Sequence, residues 1–195
     1  MLDFPDKKYN TIVIDPAWNL NLTGGFNLRE NRATELPYKT MTLEDIKNFP
    51  IENFANQGAH IYLWTTNSFL RQAFEVLDSW KVKFHLVLVY AKPSFIAPVL
   101  AYQFATEFCL LGFYGSPMQK FSGKIKLNWF KSHGKAGQHS RKPDESYNLI
   151  RDMSPEPRID IFSRRVIAGF DSWGDEAPKE SQKDLLEVSA NSSQQ

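Results

Sequence analysis

Four consecutive residues near the N-terminus, Asp15-Pro16-Ala17-Trp18, combine side-chain types that could do chemistry. They follow the run at 9–14, Tyr-Asn-Thr-Ile-Val-Ile, whose β-branched residues predict a buried strand. Sheets of α/β proteins bind ligands beyond the carboxyl ends of their strands, which is where this acid lies. The Asp15 carboxylate and the Pro16 carbonyl can both accept hydrogen bonds, and Trp18 can offer a flat aromatic face. The alternative is an ordinary strand-ending turn with a buried tryptophan.

The tetrapeptide resembles the Asp-Pro-Pro-Trp motif of amino-group adenine methyltransferases, and this resemblance implies a specific chemistry. The exocyclic amine of adenine is a poor nucleophile because its lone pair is conjugated into the ring. Hydrogen bonds from the amine to Asp15 and to the Pro16 carbonyl would orient that lone pair, and would strengthen as positive charge develops on nitrogen. Trp18 would stack on a base withdrawn from its neighbours. Ala17 replaces the second proline of the motif, which keeps both acceptors but relaxes the backbone.

Length and composition fit one soluble globular domain. The chain has 195 residues and a formal net charge of +1, so it is not a general polyanion binder. No apolar run reaches membrane-spanning length, and the N-terminus has no signal-peptide pattern. The single cysteine, Cys109, lies in an apolar run and is predicted to be a buried thiol, with no internal disulfide or cysteine-based metal cluster. These features favour a reducing, cytoplasmic location.

Positive charge is concentrated in residues 116–143, which contain no acidic residue. Aromatic residues are interleaved with the charges, a combination typical of phosphate contact with base stacking. A solvated strand-and-loop surface explains the pattern equally well. The basic residues are Lys120, Lys124, Lys126, Lys131, Lys135, Arg141 and Lys142, and the aromatic ones are Phe121, Trp129 and Phe130. Of these, Lys120, Lys124 and Lys126 are candidate nucleic-acid contacts.

Apolar runs alternate with helical periodicities along the chain, and predict the elements that must position these residues. Helices are predicted from Thr42, a capping residue followed by acids, over 69–80, and from Pro143 to Pro155. The alternation of strands with helices predicts a mostly parallel α/β sheet. Strands are predicted at 9–14, 59–65, 84–91, 107–113, 124–130 and 158–163.

Three stretches lie outside this alternation. Residues 19–33 contain Gly24-Gly25 and are predicted to form a mobile loop beside the site. Residues 92–104 are a candidate lid or recognition loop. The polar residues 177–195 are predicted to be a flexible tail that follows a single domain at 1–176. Because no glycine-rich dinucleotide motif follows any strand and the histidines are scattered, neither a dinucleotide enzyme nor a metal site is predicted.

Eight stretches resemble, in the same order, the MT-A family of S-adenosylmethionine-dependent adenine N6-methyltransferases. This family includes the catalytic subunit of the eukaryotic messenger-RNA adenosine methyltransferase and many bacterial and phage relatives. The resemblance implies a Rossmann-like methyltransferase sheet, mostly parallel, with helices on both faces and a circularly permuted motif order. The stretches cover most of residues 9–176 and lie at 14–18, 35–41, 63–67, 88–93, 107–112, 139–147, 160–164 and 169–176.

The resemblance also implies a set of residues that bind the cofactor S-adenosylmethionine. Asp15 would lie where cofactor and target base meet, and Lys142 would pair with the cofactor carboxylate. A lysine is poorly placed at a helix N-terminus, which favours such a functional role over a solvated one. Asp160 and Arg164 are predicted to lie on one side of a short strand and to bind the ribose, with a strand-end salt bridge as the alternative.

The remaining assignments from the resemblance concern the adenine of the cofactor and the substrate side. Asp175 and Glu176 would lie near the adenine and ribose of the cofactor. Tyr38, Trp64 and Asn67 would line the substrate side, although Trp64 could equally be a core residue.

The sequence thus predicts direct transfer of a methyl group to the N6 amine of adenine in nucleic acid, with no covalent enzyme intermediate. DNA is preferred because the compact chain lacks the zinc-finger and accessory domains expected of the messenger-RNA enzyme. RNA is the first alternative, and a catalytically silent nucleic-acid-binding subunit of a heterodimer is the second. A homodimer and a heterodimer with a related subunit both stay open, and no membrane partner is expected. A cytoplasmic location, at the nucleoid or in a phage-infected cell, is expected.

Overall fold

The computed structural model describes residues 5–19, 40–96, 104–132, 142–175 and 177. Within these ranges the chain forms one seven-stranded sheet with helices on both faces. The strands are β1 (Tyr9–Ile14), β2 (Ala55–Thr65), β3 (Val82–Ile96), β4 (Phe104–Tyr114), β5 (Trp129–Lys131), β6 (Arg158–Ile161) and β7 (Asp171–Trp173). The helices are α1 (Leu43–Lys47), α2 (Leu70–Ser79) and α3 (Asp144–Met153). None of the helices described is long and apolar enough to cross a membrane.

The strand order is β5-β3-β4-β2-β1-β6-β7. Parallel pairing joins β1 to both β2 and β6, and it also joins β3 to β5 and β6 to β7. Within this sheet β4 runs antiparallel to both of its neighbours, β2 and β3. The mostly parallel Rossmann-like sheet predicted from the sequence is therefore confirmed, with one antiparallel strand inserted near its middle. Because β1, β2 and β6 are parallel, their carboxyl ends meet at one edge, which we call the carboxyl edge.

The central strands are apolar on both faces because helices cover both sides of the sheet. Alternate residues of β1 enter opposite cores: Ile12 and Ile14 pack with α1 and α2, whereas Val13 packs on the side of α3. Cys109 of β4 lies in the α3-side core and is fully buried, as predicted. This two-sided burial holds β1 rigidly, and it therefore fixes the position of whatever follows Ile14.

The predicted helix starts are confirmed with small adjustments. Thr42 caps α1 in a capping box, in which its hydroxyl accepts from the Asp45 N–H and the Asp45 carboxylate accepts from the Thr42 N–H. A short 3-10 turn at Asn67–Phe69 leads into α2. Pro143 is the extended residue before α3 rather than part of its first turn. Its missing N–H costs nothing at that position.

The predicted strands 124–130 and 158–163 have different boundaries in the structure. Of the predicted strand 124–130 only residues 129 and 130 are in the sheet, as part of β5, because β3 pairs in parallel only at Val89, Tyr90 and Ala91. The apolar residues of the unpaired part face solvent, with Ile125 99% exposed. β6 ends at Ile161 because Phe162 has a φ of 66°, which turns the chain out of the strand.

Other predictions fall partly or wholly outside the described residues. Residues 92–96 of the candidate lid at 92–104 belong to β3 and residue 104 belongs to β4. The residues between them, 97–103, are outside the described residues. The loop from 20 onward, Tyr38, Glu176 and the tail after 177 also lie outside the described residues.

Candidate active site at the carboxyl edge of the sheet

Four charged residues gather where β1 ends. The Nζ atom of Lys142 lies 2.8 Å from Oδ2 of Asp15 and 3.3 Å from Oε2 of Glu107. Lys92 forms a second ion pair with Glu107. The group therefore contains two carboxylates and two ammonium groups, and we call it the carboxyl-edge cluster. The Lys142 side chain is 11% exposed, and its ammonium lies 5.2 Å from the centre of the Trp64 ring, within cation–π range.

Each member of the carboxyl-edge cluster is held by a different element. Asp15 follows β1, Glu107 lies on β4, and Lys92 lies two residues beyond the Tyr90 that pairs with Glu107 on β3. Because β2 separates β1 from β4, Asp15 and Glu107 lie on strands about 10 Å apart. Lys142, two residues before α3, spans this gap with its long side chain. The sheet order thus brings together residues that are far apart in sequence.

Burial and mutual charge set the protonation of this cluster. Burial raises the pKa of Asp15, and the Lys142 ammonium opposes that shift. Burial also works against the charge of Lys142, but Asp15 and Glu107 outweigh it and hold the pKa of Lys142 above its usual value. Glu107 is buried as well, yet Lys142 and Lys92 hold its pKa below its usual value. The 2.8 Å contact supports an ionised Asp15, whose charge depends on the neighbouring lysine.

A second buried carboxylate, Asp160, lies on β6 level with Val13 of β1. The Tyr147 hydroxyl on α3 donates to its Oδ2 atom across 2.8 Å. Asp160 is only 3% exposed, and this burial raises its pKa to about 7, with the negative charge of Asp15 contributing to the rise. Near neutral pH this carboxyl group therefore exchanges between its protonated and ionised forms.

The family of the chain follows from comparison with known proteins. A family model described as MT-A70 matches residues 9–176, and so includes the carboxyl-edge cluster and Asp160. The chain belongs to the MT-A70 family. The expected MT-A resemblance is thereby confirmed.

Individual relatives of this MT-A70 chain differ greatly in length. A putative N(6)-adenosine-methyltransferase MT-A70-like protein from Medicago truncatula is 26% identical over 87% of the chain and 26% of its own length. The human N(6)-adenosine-methyltransferase catalytic subunit METTL3 is 24% identical over 80% of the chain and 26% of its own length. The type II methyltransferase M.MunI from Mycoplasma sp is 23% identical over 89% of the chain and 80% of its own length. The chain thus spans about a quarter of the plant and human relatives.

Of the predicted cofactor residues, the structure brings Asp15, Lys142 and Asp160 together at the carboxyl edge. Arg164 was predicted to share one side of a strand with Asp160, and this is wrong because β6 ends at Ile161, before Arg164. The Arg164 side chain is exposed, although its charge still acts on Asp15. Asp175 is exposed just beyond β7, and Glu176 is outside the described residues.

The predicted substrate residues separate into buried and exposed positions. Trp18 is 9% exposed, it stacks on Phe69 with ring centroids 5.4 Å apart, and its N–H donates to the Trp64 carbonyl across 3.0 Å. This burial contradicts the prediction that Trp18 offers an open face to a base. Trp64 is also buried, and its indole N–H has no hydrogen-bond partner among the residues that the structure describes. Asn67 is exposed at the start of the turn before α2.

The three candidate lysine contacts do not join the site. Gln119, beside Lys120, donates its N–H to the Gly58 carbonyl near the start of β2, at the opposite edge of the sheet. Lys126 pairs with Asp152 in the last turn of α3, 2.8 Å away. A ten-residue helix is about 15 Å long, so this pair is remote from Lys142 at the other end of α3. These lysines are therefore not part of the carboxyl-edge cluster, and their contact with nucleic acid stays a prediction.

Sequence reasoning missed the roles of Glu107, Lys92, Tyr147 and Arg165. A signal for Glu107 was present, because an acid at the head of the apolar run Phe-Cys-Leu-Leu should be buried and therefore paired. Its partner could not be read from the sequence, since Lys142 lies 35 positions away and approaches from another element. Tyr147 was predicted only as part of the apolar face of α3.

Proposed function

We propose that this chain is an S-adenosylmethionine-dependent adenine N6-methyltransferase that acts on nucleic acid. The observation that carries the proposal is the ion pair between Asp15 and Lys142 at the end of β1, in a chain of the MT-A70 family. Two relatives described above carry names that specify N(6)-adenosine methylation. DNA is the proposed polymer because the type II methyltransferase M.MunI is similar to this chain over 80% of its own length.

Asp15 is suited to accept hydrogen bonds from an amine. The Asp15 side chain is 30% exposed. Its Oδ2 atom contacts Lys142, and the exposed part of the carboxylate is accessible to a ligand. As positive charge develops on the amine nitrogen, the ionised carboxylate would interact with it more strongly, which lowers the barrier. The Lys142 ammonium favours the ionised form of Asp15 against the effect of burial on its pKa, and Glu107 contacts Lys142 from the other side.

The residues at the carboxyl edge also fit S-adenosylmethionine. The partly exposed Asp15 and the buried Asp160 both have raised pKa values, so neither carboxyl group is fully compensated by positive charge. A cofactor with a sulfonium and an ammonium group supplies such charge, and its methyl group is the one transferred. The buried indole N–H of Trp64, beside Lys142, is a further donor that no described residue satisfies. Asp15, Lys142 and Asp160 would hold the cofactor.

The test compares the wild type with Asp15→Asn, which removes the charge but keeps the shape. Each protein receives S-adenosylmethionine with duplex DNA, single-stranded DNA or RNA of one sequence, and N6-methyladenine is measured by mass spectrometry after digestion to nucleosides. We expect methylation by the wild type, most on DNA, and a loss of about 100-fold or more in Asp15→Asn.

Asp171→Asn is the matched control for this test. Asp171 also forms an ion pair with a lysine, Lys7, at 2.6 Å, but it lies on β7 outside the carboxyl-edge cluster. We expect its activity to equal that of the wild type. Undiminished methylation by a folded Asp15→Asn protein would remove Asp15 from its proposed role. A wild type that neither methylates nor binds S-adenosylmethionine would instead favour the silent nucleic-acid-binding subunit.

A further inference from the structure

Arg165, in the loop after β6, contacts three residues on or just before α3. Its NH1 atom lies 2.5 Å from Oδ1 of Asp144, in the first turn of the helix. Its NH2 group donates to the backbone carbonyl of Lys142 across 3.1 Å. Its guanidinium carbon lies 5.3 Å from the centre of the Tyr147 ring. A planar guanidinium can make these contacts simultaneously, because its donors are arranged as a rigid fork.

The backbone of Arg165 is hydrogen-bonded to the Ser163 side chain. The Ser163 hydroxyl donates to the Arg165 carbonyl across 2.7 Å, and the Arg165 N–H points back to that hydroxyl at 3.4 Å. Ser163 is itself buried directly after β6. Because the Ser163 side chain also hydrogen-bonds Asp160 of β6, the guanidinium reaches α3 from a loop that is tied to the sheet.

The carboxylates of the site are contacted from the α3 side by Lys142 and Tyr147. The ammonium of Lys142 pairs with Asp15, and the hydroxyl of Tyr147 donates to Asp160. Arg165 contacts the main chain of the first and the ring of the second. Pro143, the residue before α3, makes no side-chain capping bond, and the Arg165 contacts with Lys142 and Asp144 tie the start of α3 to the loop after β6.

We propose that Arg165 is a positioning residue of this site, which sets the Lys142 ammonium against Asp15 and the Tyr147 hydroxyl against Asp160. The assignment to a methyl-transfer site rests on the proposed function, whereas the contacts themselves do not. Arg165 has an electrostatic consequence as well. Asp160 is faced by Tyr147 from α3, by Asp15 from the end of β1, and by Ser163 and Arg165 from the loop after β6, and Arg165 works to lower its pKa.

The test uses the full chain with Arg165→Gln and Arg165→Lys. Two quantities are measured from pH 5.5 to pH 8.5: the dissociation constant for S-adenosylmethionine by calorimetry, and the thermal midpoint of the protein without cofactor. Arg165→Gln should weaken cofactor binding about tenfold at neutral pH, because a charge-assisted hydrogen-bond network is lost. Arg165→Lys should recover part of the affinity, since it keeps the charge but not the fork.

The pH dependence separates positioning from mere stability. Without the Arg165 charge, the Asp160 pKa should rise further, so the midpoint of the pH-dependent change in thermal stability should move upward in Arg165→Gln but not in Arg165→Lys. Adding Asp160→Asn should abolish that movement. Arg151→Gln is the matched control, because Arg151 also links α3 to this loop, donating to the Ala168 carbonyl across 2.6 Å. Arg151→Gln should keep the wild-type affinity and pH profile.

Each further outcome decides against the proposal. Wild-type affinity and an unmoved pH profile in a folded Arg165→Gln protein would overturn the role of Arg165 and leave the proposed function standing. An equal loss of affinity in Arg151→Gln would show that both arginines only stabilise α3, and that Arg165 has no specific positioning role. A wild-type protein that binds no S-adenosylmethionine would overturn the proposed function, and the role of Arg165 in it would fall with it.

Discussion

Replacing Asp160 by Asn should change how the stability of the protein depends on pH. The pKa of Asp160 is about 7 in the folded protein and has an ordinary value of 3.8. Between these values the folded state binds a proton that the unfolded state has released. The Asp160 contribution to the free energy of unfolding is therefore fully present below about pH 4 and is lost as the pH rises through about 7. The wild type thus loses stability from Asp160 as the pH increases.

The size of the effect follows from the distance between the two pKa values. One pKa unit corresponds to about 1.4 kcal/mol, so a rise of about three units corresponds to about 4 kcal/mol when Asp160 is fully ionised. About 2.5 kcal/mol of this should be lost between pH 5 and pH 8. Asn has nearly the shape of Asp and keeps an oxygen that can accept the Tyr147 hydroxyl, but it does not titrate.

The assay is urea unfolding of the wild type and Asp160→Asn at several pH values from 5 to 8.5. Subtracting the two curves removes the contributions of the other titrating groups that the variants share. The stability of Asp160→Asn relative to the wild type should rise by about 2.5 kcal/mol from pH 5 to pH 8. A difference that does not change with pH would show that Asp160 is already ionised at pH 5. The burial argument for its raised pKa would then be wrong.

Three further predictions concern other parts of the molecule. Lys142→Met should remove methylation and lower the free energy of unfolding by about 3 kcal/mol in urea titrations, because Asp15 and Glu107 lose the ammonium group that contacts both of them. An unchanged stability would contradict the ionised pair. Burial lowers the pKa of His60, whose ring nitrogens contact Ser154 and the Gln119 carbonyl, so the neutral form is stabilising. The His60 contribution to the free energy of unfolding should be complete above about pH 6.5 and should be lost as the pH falls below that value. The urea midpoint of the wild type should therefore fall over this pH range, and that of His60→Gln should lack this fall. Ile125→Ser, at a side chain that is 99% exposed, should change the free energy of unfolding by less than about 0.5 kcal/mol. A larger loss would place Ile125 in a packed contact.

Local patterns in the sequence were sufficient for most elements of the fold. The β-branched run before Asp15 predicted β1 with its observed bounds, Tyr9–Ile14. The capping sequence at Thr42 and the proline before Asp144 located two helix starts to within a residue. These signals work because strand alternation, helix periodicity and capping depend on residues within a few positions of one another. The location of the site at the carboxyl end of β1 could be predicted because β1 itself was recognisable from these local signals.

Pairings between distant elements were not accessible in this way. Nothing in the run Phe-Cys-Leu-Leu of β4 distinguishes an antiparallel strand from a parallel one, since both are apolar when buried on both faces. The alternation at 124–130 predicted a strand, but an extended segment joins a sheet only where a neighbouring edge is available, and here that edge begins opposite Val89. Trp18 was similarly ambiguous, because an aromatic ring can pack as well as it can stack on a ligand.

The sequence by itself determined the types of group at the carboxyl edge: an acid after β1, a lysine before α3 and an acid on β6. Only the tertiary structure decided their partners and their protonation. Glu107 faces Lys142 because β4 is inserted two places from β1, and Arg165 reaches Lys142 because the loop after β6 folds back onto α3. The raised pKa of Asp160 likewise needs the full surroundings, since burial and neighbouring charge are properties of the packed molecule. Periodicity is encoded over a few residues, whereas electrostatic environment is created by contacts between segments that are far apart in the chain.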